Sequence, residues 1–294
     1  EAVGQEKPFL AWVSFPDPHP PMAPPGMWFD RHNPDDMPVP DSIDDPSDYM
    51  PQHLKEAHGR HPKDQRFWVE PCGVGGDHAV VREAISATYG MIEMIDEAIG
   101  RVVSTLDRLG QTEDTIIVFT SDHGDMMGEH GLMLKGYMPF RGTQQIPLLI
   151  SAPKCLPGRT DSLASSMDLG PTLMELCGID AYDGIQGVSL TPVLSDPAVS
   201  VREHVLIEED FPDFLSSVTS TPSKTRTLVT RDTRYTRNSD GHEMMFDKIA
   251  DREERREITK SDQPRRSEML ERLTDALIAS ADAARGAPTD PSYA

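Results

Sequence analysis

The sequence predicts an α/β protein: a mixed sheet flanked by helices, then a small C-terminal antiparallel sheet and a closing helix. Three observations predict it. Short continuous apolar runs are bounded by turn residues, a long stretch of helical periodicity lies between two of them, and short β-rich segments follow residue 195.

The first apolar run, Phe9 to Phe15 (FLAWVSF), is closed by Pro16 and has the composition of a strand buried on both faces. Residues 16–76 are rich in Pro, Asp and His, which disfavours ladders and helices and predicts a long loop of the kind that carries function. From about Ala79, the residues Ile85, Tyr89, Ile92, Ile95, Ile99, Val102, Leu106 and Leu109 recur at steps of three and four. This spacing predicts a long amphipathic helix that stops at Gly110.

Thr115 to Thr120 (TIIVFT) is β-branched and apolar, as a central strand requires, and Ile146 to Ser151 fits a second buried strand. A short helix is expected over Asp168 to Cys177, with Asp168 near its start and Gly178 just past its end. The α/β part is expected to occupy residues 1–195 and a second domain residues 196–294. In the latter, HVLIEED, RTLVT, RYTRN and EMMFD read as short strands, and Ser239, Asp240 and Gly241 form a hairpin turn between the last two. Gln263 to about Ala284 reads as the closing helix, with a frayed tail after it.

There are 28 Lys plus Arg against 49 Asp plus Glu, a net charge of −21, which argues against nucleic acid or an anionic membrane surface as the main partner. An anionic small-molecule substrate stays compatible, because the charge at a site, not the global charge, governs a bound ligand. No apolar run approaches the roughly 18 residues of a membrane span, and the first residues lack a secretory signal pattern. Cys72, Cys155 and Cys177 are too few and too scattered for a disulfide framework or a zinc knuckle, so they are expected mostly to pack.

Directly after the TIIVFT strand comes Ser121-Asp122-His123-Gly124-Asp125. Carboxylate and imidazole groups thus sit at the carboxyl end of a sheet strand, where open α/β sheets place ligands, and Gly124 permits the sharp turn that lets neighbouring side chains converge on one cation. The local alternative is that Asp122 caps a turn and His123 only hydrogen-bonds to the loop.

The wider run TSDHGDMMGEHGLMLKG, preceded by YGMIEMIDEAIGRVVSTLDRLG and TIIVF, resembles the sulfatase family of the alkaline phosphatase superfamily. FLAWVSFPDPHPP is similar to that family's strand and leaving-group histidine loop. IPLLISAP with SMDLGPTLMELCGI resembles its next strand and helix, and RYTRNSDGHEMMFDKIADREE its terminal hairpin, so the likeness covers most of residues 8–257.

The resemblance implies an alkaline-phosphatase-like mixed sheet and the hydrolysis of sulfate esters, small-molecule or glycan, with phosphonate or phosphate monoesters as near neighbours. It implies Asp122 and His123 as ligands of a divalent cation, calcium by the family's habit, with manganese or zinc as alternatives compatible with a His ligand. Lys135 would neutralise charge on the bound oxyanion, and His19 would protonate the leaving group. His130 is expected to be structural, with orientation of the metal loop as its alternative, and His32, His53, His58, His61 and His78 carry no assignment.

The family's nucleophile, a formylglycine made from Cys or Ser in C-x-P-x-R or S-x-P-x-R, normally precedes the histidine loop by a long stretch, whereas eighteen residues precede His19 here. The nucleophile-bearing half is therefore expected to be absent from this chain, which alone would be inactive. Cys155-Leu156-Pro157-Gly158-Arg159 fits C-x-P-x-R letter for letter, but it follows the metal motif and lacks the family's continuation. It reads as a surface turn. A non-catalytic remnant without the nucleophile is the reading from another class.

Overall fold

The computed structural model describes residues 8–60, 72–74, 76–210 and 224–285. The chain forms two compact units. One comprises the described residues of Glu1–Asp45, Ala57–Val118 and Asp125–Gly136, and the other those of Pro46–Glu56, Phe119–Gly124 and Tyr137–Ala294.

After the short helix α1 (Gln52–His58) and the two-residue strand β1 (Cys72–Gly73) comes the predicted long helix, α2 (His78–Arg108). The Asp77 carboxylate starts α2 by accepting the Val80 backbone N–H at 3.2 Å. At its other end Gly110 takes φ +65°, and the Gln111 N–H donates to the Leu106 carbonyl, closing the last turn as the sequence foresees.

The predicted apolar stripe is used unevenly. Of its residues Ile85 is buried in the first unit's core, beside Val81 and Ala84 from outside the stripe, whereas Tyr89, Ile92, Val102 and Leu109 are exposed. Strand β2 (Ile117–Thr120) leads to β3 (Met126–Met127) and β4 (Leu132–Leu134). The order β1-β4-β3 makes a small antiparallel sheet, which the sequence reading missed because each strand has only two or three residues. Met133 and Leu134 of this sheet join Met37, Ile43, Cys72 and Val74 against α2.

The second unit contains α3 (Arg141–Gln144), β5 (Leu148–Ser151), α4 (Leu169–Leu176) and α5 (Thr191–Ser195). Its terminal part is the predicted sheet, β6 (His204–Asp210), β7 (Lys224–Thr230), β8 (Thr233–Asn238) and β9 (Glu243–Asp247), antiparallel in sequence order. Gly241 turns the last hairpin at φ +89°, a backbone region open to glycine at little cost. Helix α6 (Gln263–Arg285) closes the unit, its Met269, Leu273 and Ala276 packing with Leu228, Tyr235 and Met245 of the sheet. The expected frayed tail lies outside the described residues. The whole is a mixed α/β fold with a small antiparallel C-terminal sheet.

Three expectations need correction. Residues 9–15 form no strand, and Leu10 and Trp12 are about nine-tenths exposed. No strand among the described residues accepts their backbone hydrogen bonds, and apolar composition alone cannot supply that pairing. Strands β2 and β5 pair only with each other, and Phe119 and Leu149 are exposed, so neither is a central buried strand among the described residues. Of the cysteines only Cys72 is buried, whereas Cys155 is half-buried and Cys177 exposed.

The expected start of the Asp168 helix is also more elaborate. Ser165 and Asp168 form a capping box around a 3-10 turn that leads into α4. The fully buried Asp168 carboxylate also accepts the Val188 N–H at 2.8 Å and pairs with Arg202.

Candidate functional site

In the second unit, the chain leaves β2 and turns through Ser121, Asp122, His123 and Gly124. The turn is held by Gly124, whose N–H donates to the Thr143 carbonyl at 2.8 Å. A Cβ on Gly124 would lie 2.0 Å from the Gly142 carbonyl oxygen, so this close approach of two backbones requires glycine.

The local bonds foreseen as the alternative reading are present. The Asp122 Oδ1 accepts the His123 N–H at 2.9 Å and the Ser121 hydroxyl at 3.3 Å. The imidazole Nδ1 of His123 lies 3.0 Å from the Gly124 carbonyl oxygen. A carbonyl only accepts, so Nδ1 carries the proton, and in the neutral ring Nε2 keeps its lone pair.

These bonds leave the outward-facing atoms free. Asp122 Oδ2 and His123 Nε2 stand 3.7 Å apart on an exposed carboxylate and a half-exposed ring. Burial pushes the Asp122 acid up, but the His123 N–H, the nearby His123 ring and the Ser121 hydroxyl outweigh it, so the group is held below the ordinary carboxylate value. An ionised carboxylate beside an imidazole lone pair is a donor set that fits a divalent cation. It is only part of a shell, since calcium takes about 6–8 oxygens. No cluster of three or more His, Cys, Asp or Glu able to hold a metal occurs among the described residues.

His19 and Lys135 lie in the first unit, each with a local partner. The His19 Nδ1 donates to the Pro20 carbonyl at 2.8 Å, which directs the proton-exchanging role to Nε2. Lys135 directly follows β4, and its Nζ lies 3.7 Å from Asp125 Oδ1.

Asp125 is a residue the sequence reading passed over. The register Met126↔Leu134 sets it opposite Lys135, and its Oδ1 is buried without a hydrogen bond. Its place at the end of Asp-His-Gly-Asp was visible, but its partner depends on strand register.

Among the other histidines, His130 is buried and its backbone N–H donates to the Ser42 hydroxyl. His53, in α1, is buried, with Nε2 donating to the Tyr137 carbonyl at 3.0 Å and Nδ1 lacking a hydrogen-bond partner. Desolvation lowers its affinity for a second proton. His32 stands edge-on to Tyr89, His78 pairs with Asp44 and the His58 ring abuts Gly131. His61 lies outside the described residues.

The family model described as Sulfatase matches residues 2–179, more than half of the chain. The chain belongs to the sulfatase family. A second model, N-sulphoglucosamine sulphohydrolase, C-terminal, matches residues 128–282 of the chain.

It is 30% identical over 210 residues to an arylsulfatase of Clostridium perfringens, covering 70% of this chain and 41% of the relative. It is 32% identical over 215 residues to the multifunctional alkaline phosphatase superfamily protein PehA of Trinickia caryophylli, again covering 70% of this chain and 41% of the relative. The chain thus spans less than half the length of these relatives. The crystal structure of the phosphonate monoester hydrolase of Agrobacterium radiobacter shares the fold, with a TM-score of 0.75 over 93% of this chain and 58% of that one, at 23% identity. No helix among the described residues is long and apolar enough to cross a membrane.

Proposed function

We propose that this chain is the carboxyl-terminal part of a metal-dependent hydrolase of sulfate esters, whose formylglycine nucleophile and remaining metal ligands come from residues not present here. On this reading residues 1–195 belong to its catalytic domain and residues 196–294 form the sheet and helix appended to it. The observation that carries the proposal is the pair of free donor atoms, Asp122 Oδ2 and His123 Nε2, 3.7 Å apart at the end of β2. Its support from comparison is the family membership and the arylsulfatase likeness.

The cation, calcium first and manganese or zinc as alternatives, would neutralise and polarise the oxygens of the bound ester. The chain's own residues would do the rest. Asp122 and His123 would hold the ion, with Gly124 fixing the turn that presents them. The Lys135 ammonium balances charge that the transition state spreads over the ester oxygens, and Asp125 keeps its Nζ in place. His19, its Nδ1 anchored on Pro20, delivers a proton from Nε2 to the departing alkoxide or phenolate oxygen. The substrate class is a small-molecule or glycan sulfate ester, consistent with relatives named choline-sulfatase and N-acetylglucosamine-6-O-sulfatase.

A second reading, hydrolysis of phosphonate or phosphate monoesters, is favoured by the likeness to a protein described as multifunctional. The same charges would stabilise either tetrahedral oxyanion. Hydrolysis of 4-nitrophenyl sulfate and of a phenylphosphonate ester by the full-length protein ranks the two readings by kcat/KM. Calcium titration of that protein and of its Asp122→Ala and His123→Ala variants tests their common basis. Each variant is expected to lose at least the about 10–100-fold in affinity that even outer-shell changes cause. Cation uptake by both variants equal to that of the parent would refute the proposal. Cation binding without any ester hydrolysis would identify a non-catalytic remnant instead.

A further inference from the structure

The Cys155-Leu156-Pro157-Gly158-Arg159 turn has no part in the proposed chemistry, but Arg159 lines a cavity of about 590 Å³ that lies wholly within the second unit. Arg202, Arg231 and Arg272 line it as well, so four arginines share one cavity in a chain whose net charge is −21.

Three carboxylates share the wall, Asp161, Glu203 and Asp232. Asp232 is already engaged, accepting the hydroxyls of Thr230 at 2.7 Å and Thr233 at 3.2 Å. Among the described residues no carboxylate forms an ion pair with Arg159 or Arg231, and Arg272 has only Glu268 of its own helix, at 3.6 Å.

Arg202 is the most telling. One end of its guanidinium pairs with the fully buried Asp168, while its Nε is buried and has no hydrogen-bond partner. A buried charged donor left unpaired costs free energy that an incoming acceptor would recover. His204, at the start of β6, registers the local field. Burial first, and then the charges of Arg272 and Arg202, disfavour its protonated form.

We propose that this pocket binds the tetrahedral oxyanion of a sulfate or phosphate ester, held by the planar forks of Arg159 and Arg231, with the Arg202 Nε–H as its buried donor. The cavity exceeds the need of a lone ion and lies within the about 300–1,000 Å³ of small-molecule sites, so the ester's organic part is accommodated with it. Glu203 and Asp161, which also line the cavity, would accept that part's hydroxyl hydrogens. The site is independent of the hydrolase reading, since none of its residues takes part in that chemistry.

The test is calorimetric titration of the full-length protein with inorganic sulfate, inorganic phosphate, glucose 6-sulfate and glucose 6-phosphate, at ionic strength held constant with chloride. Arg159→Gln/Arg231→Gln should weaken binding at least tenfold, while Lys135→Ala should leave this binding in place. Arg202 is kept, because Asp168 depends on it, and equal thermal midpoints of variant and parent verify folding. Tighter binding of either the sulfate or the phosphate pair supports the proposal and names the ester. Equal affinity in the double variant, or loss in Lys135→Ala instead, overturns it.

Discussion

Replacing Glu209 with glutamine isolates one strongly perturbed carboxylate. Glu209 lies on β6 opposite Thr225 of β7, and its Oε2 is buried without a hydrogen-bond partner. Burial pushes its acid from 4.5 up to about 7. The folded chain therefore holds this proton more tightly than the unfolded chain. Between pH 4.5 and about 7 the folded state carries more protons, so this group's contribution to stability falls as pH rises, and above about 7 the full penalty is present.

The gap from 4.5 to about 7, at about 1.4 kcal/mol per pH unit, amounts to about 3.5 kcal/mol as an upper bound, since neighbours relax around a new charge. Glu209→Gln keeps the shape and stays neutral at every pH. It should exceed the parent by no more than about 1 kcal/mol at pH 5 and by up to about 3.5 kcal/mol at pH 8.5. Urea unfolding midpoints of both proteins at the two pH values measure the difference, and every other titrating group cancels between them. A difference that does not change between pH 5 and pH 8.5, or a parent that gains on the variant as pH rises, would refute the assignment of an uncompensated buried carboxyl.

Two further outcomes follow from the Gly124 turn and the turn after β5. Gly124→Ala would place its Cβ 2.0 Å from the Gly142 oxygen. It should cost about 1–3 kcal/mol of stability and weaken calcium binding by displacing Asp122 and His123, read by thermal unfolding and by calcium titration. Cys155→Ala should leave ester hydrolysis by the full-length protein unchanged, because Cys155 sits in a turn where its N–H donates to the Ala152 carbonyl; abolished aryl sulfate turnover in this variant would make it a catalytic residue.

Local chemistry made some features legible in the sequence. Helix α2 and its Gly110 stop, the strands β6 to β9, the Gly241 hairpin and helix α6 were all readable, because periodicity, turn chemistry and helix capping act between residues close in the chain. The adjacency of Asp122 and His123 was equally plain, as was the family resemblance that the Sulfatase match established.

Tertiary structure decided what depends on a distant partner. FLAWVSF has the composition of a buried strand yet remains unpaired and exposed, because a strand needs a neighbour's hydrogen bonds and composition cannot provide one. Register, not proximity in sequence, sets Asp125 across from Lys135, and only the fold brings Arg159, Arg202, Arg231 and Arg272 to one cavity from four separate segments. Short-range rules specify the long helices and hairpins; whether a short apolar segment becomes a strand, and which hydrogen-bonding and charge partners its side chains find, follows from contacts that close long loops.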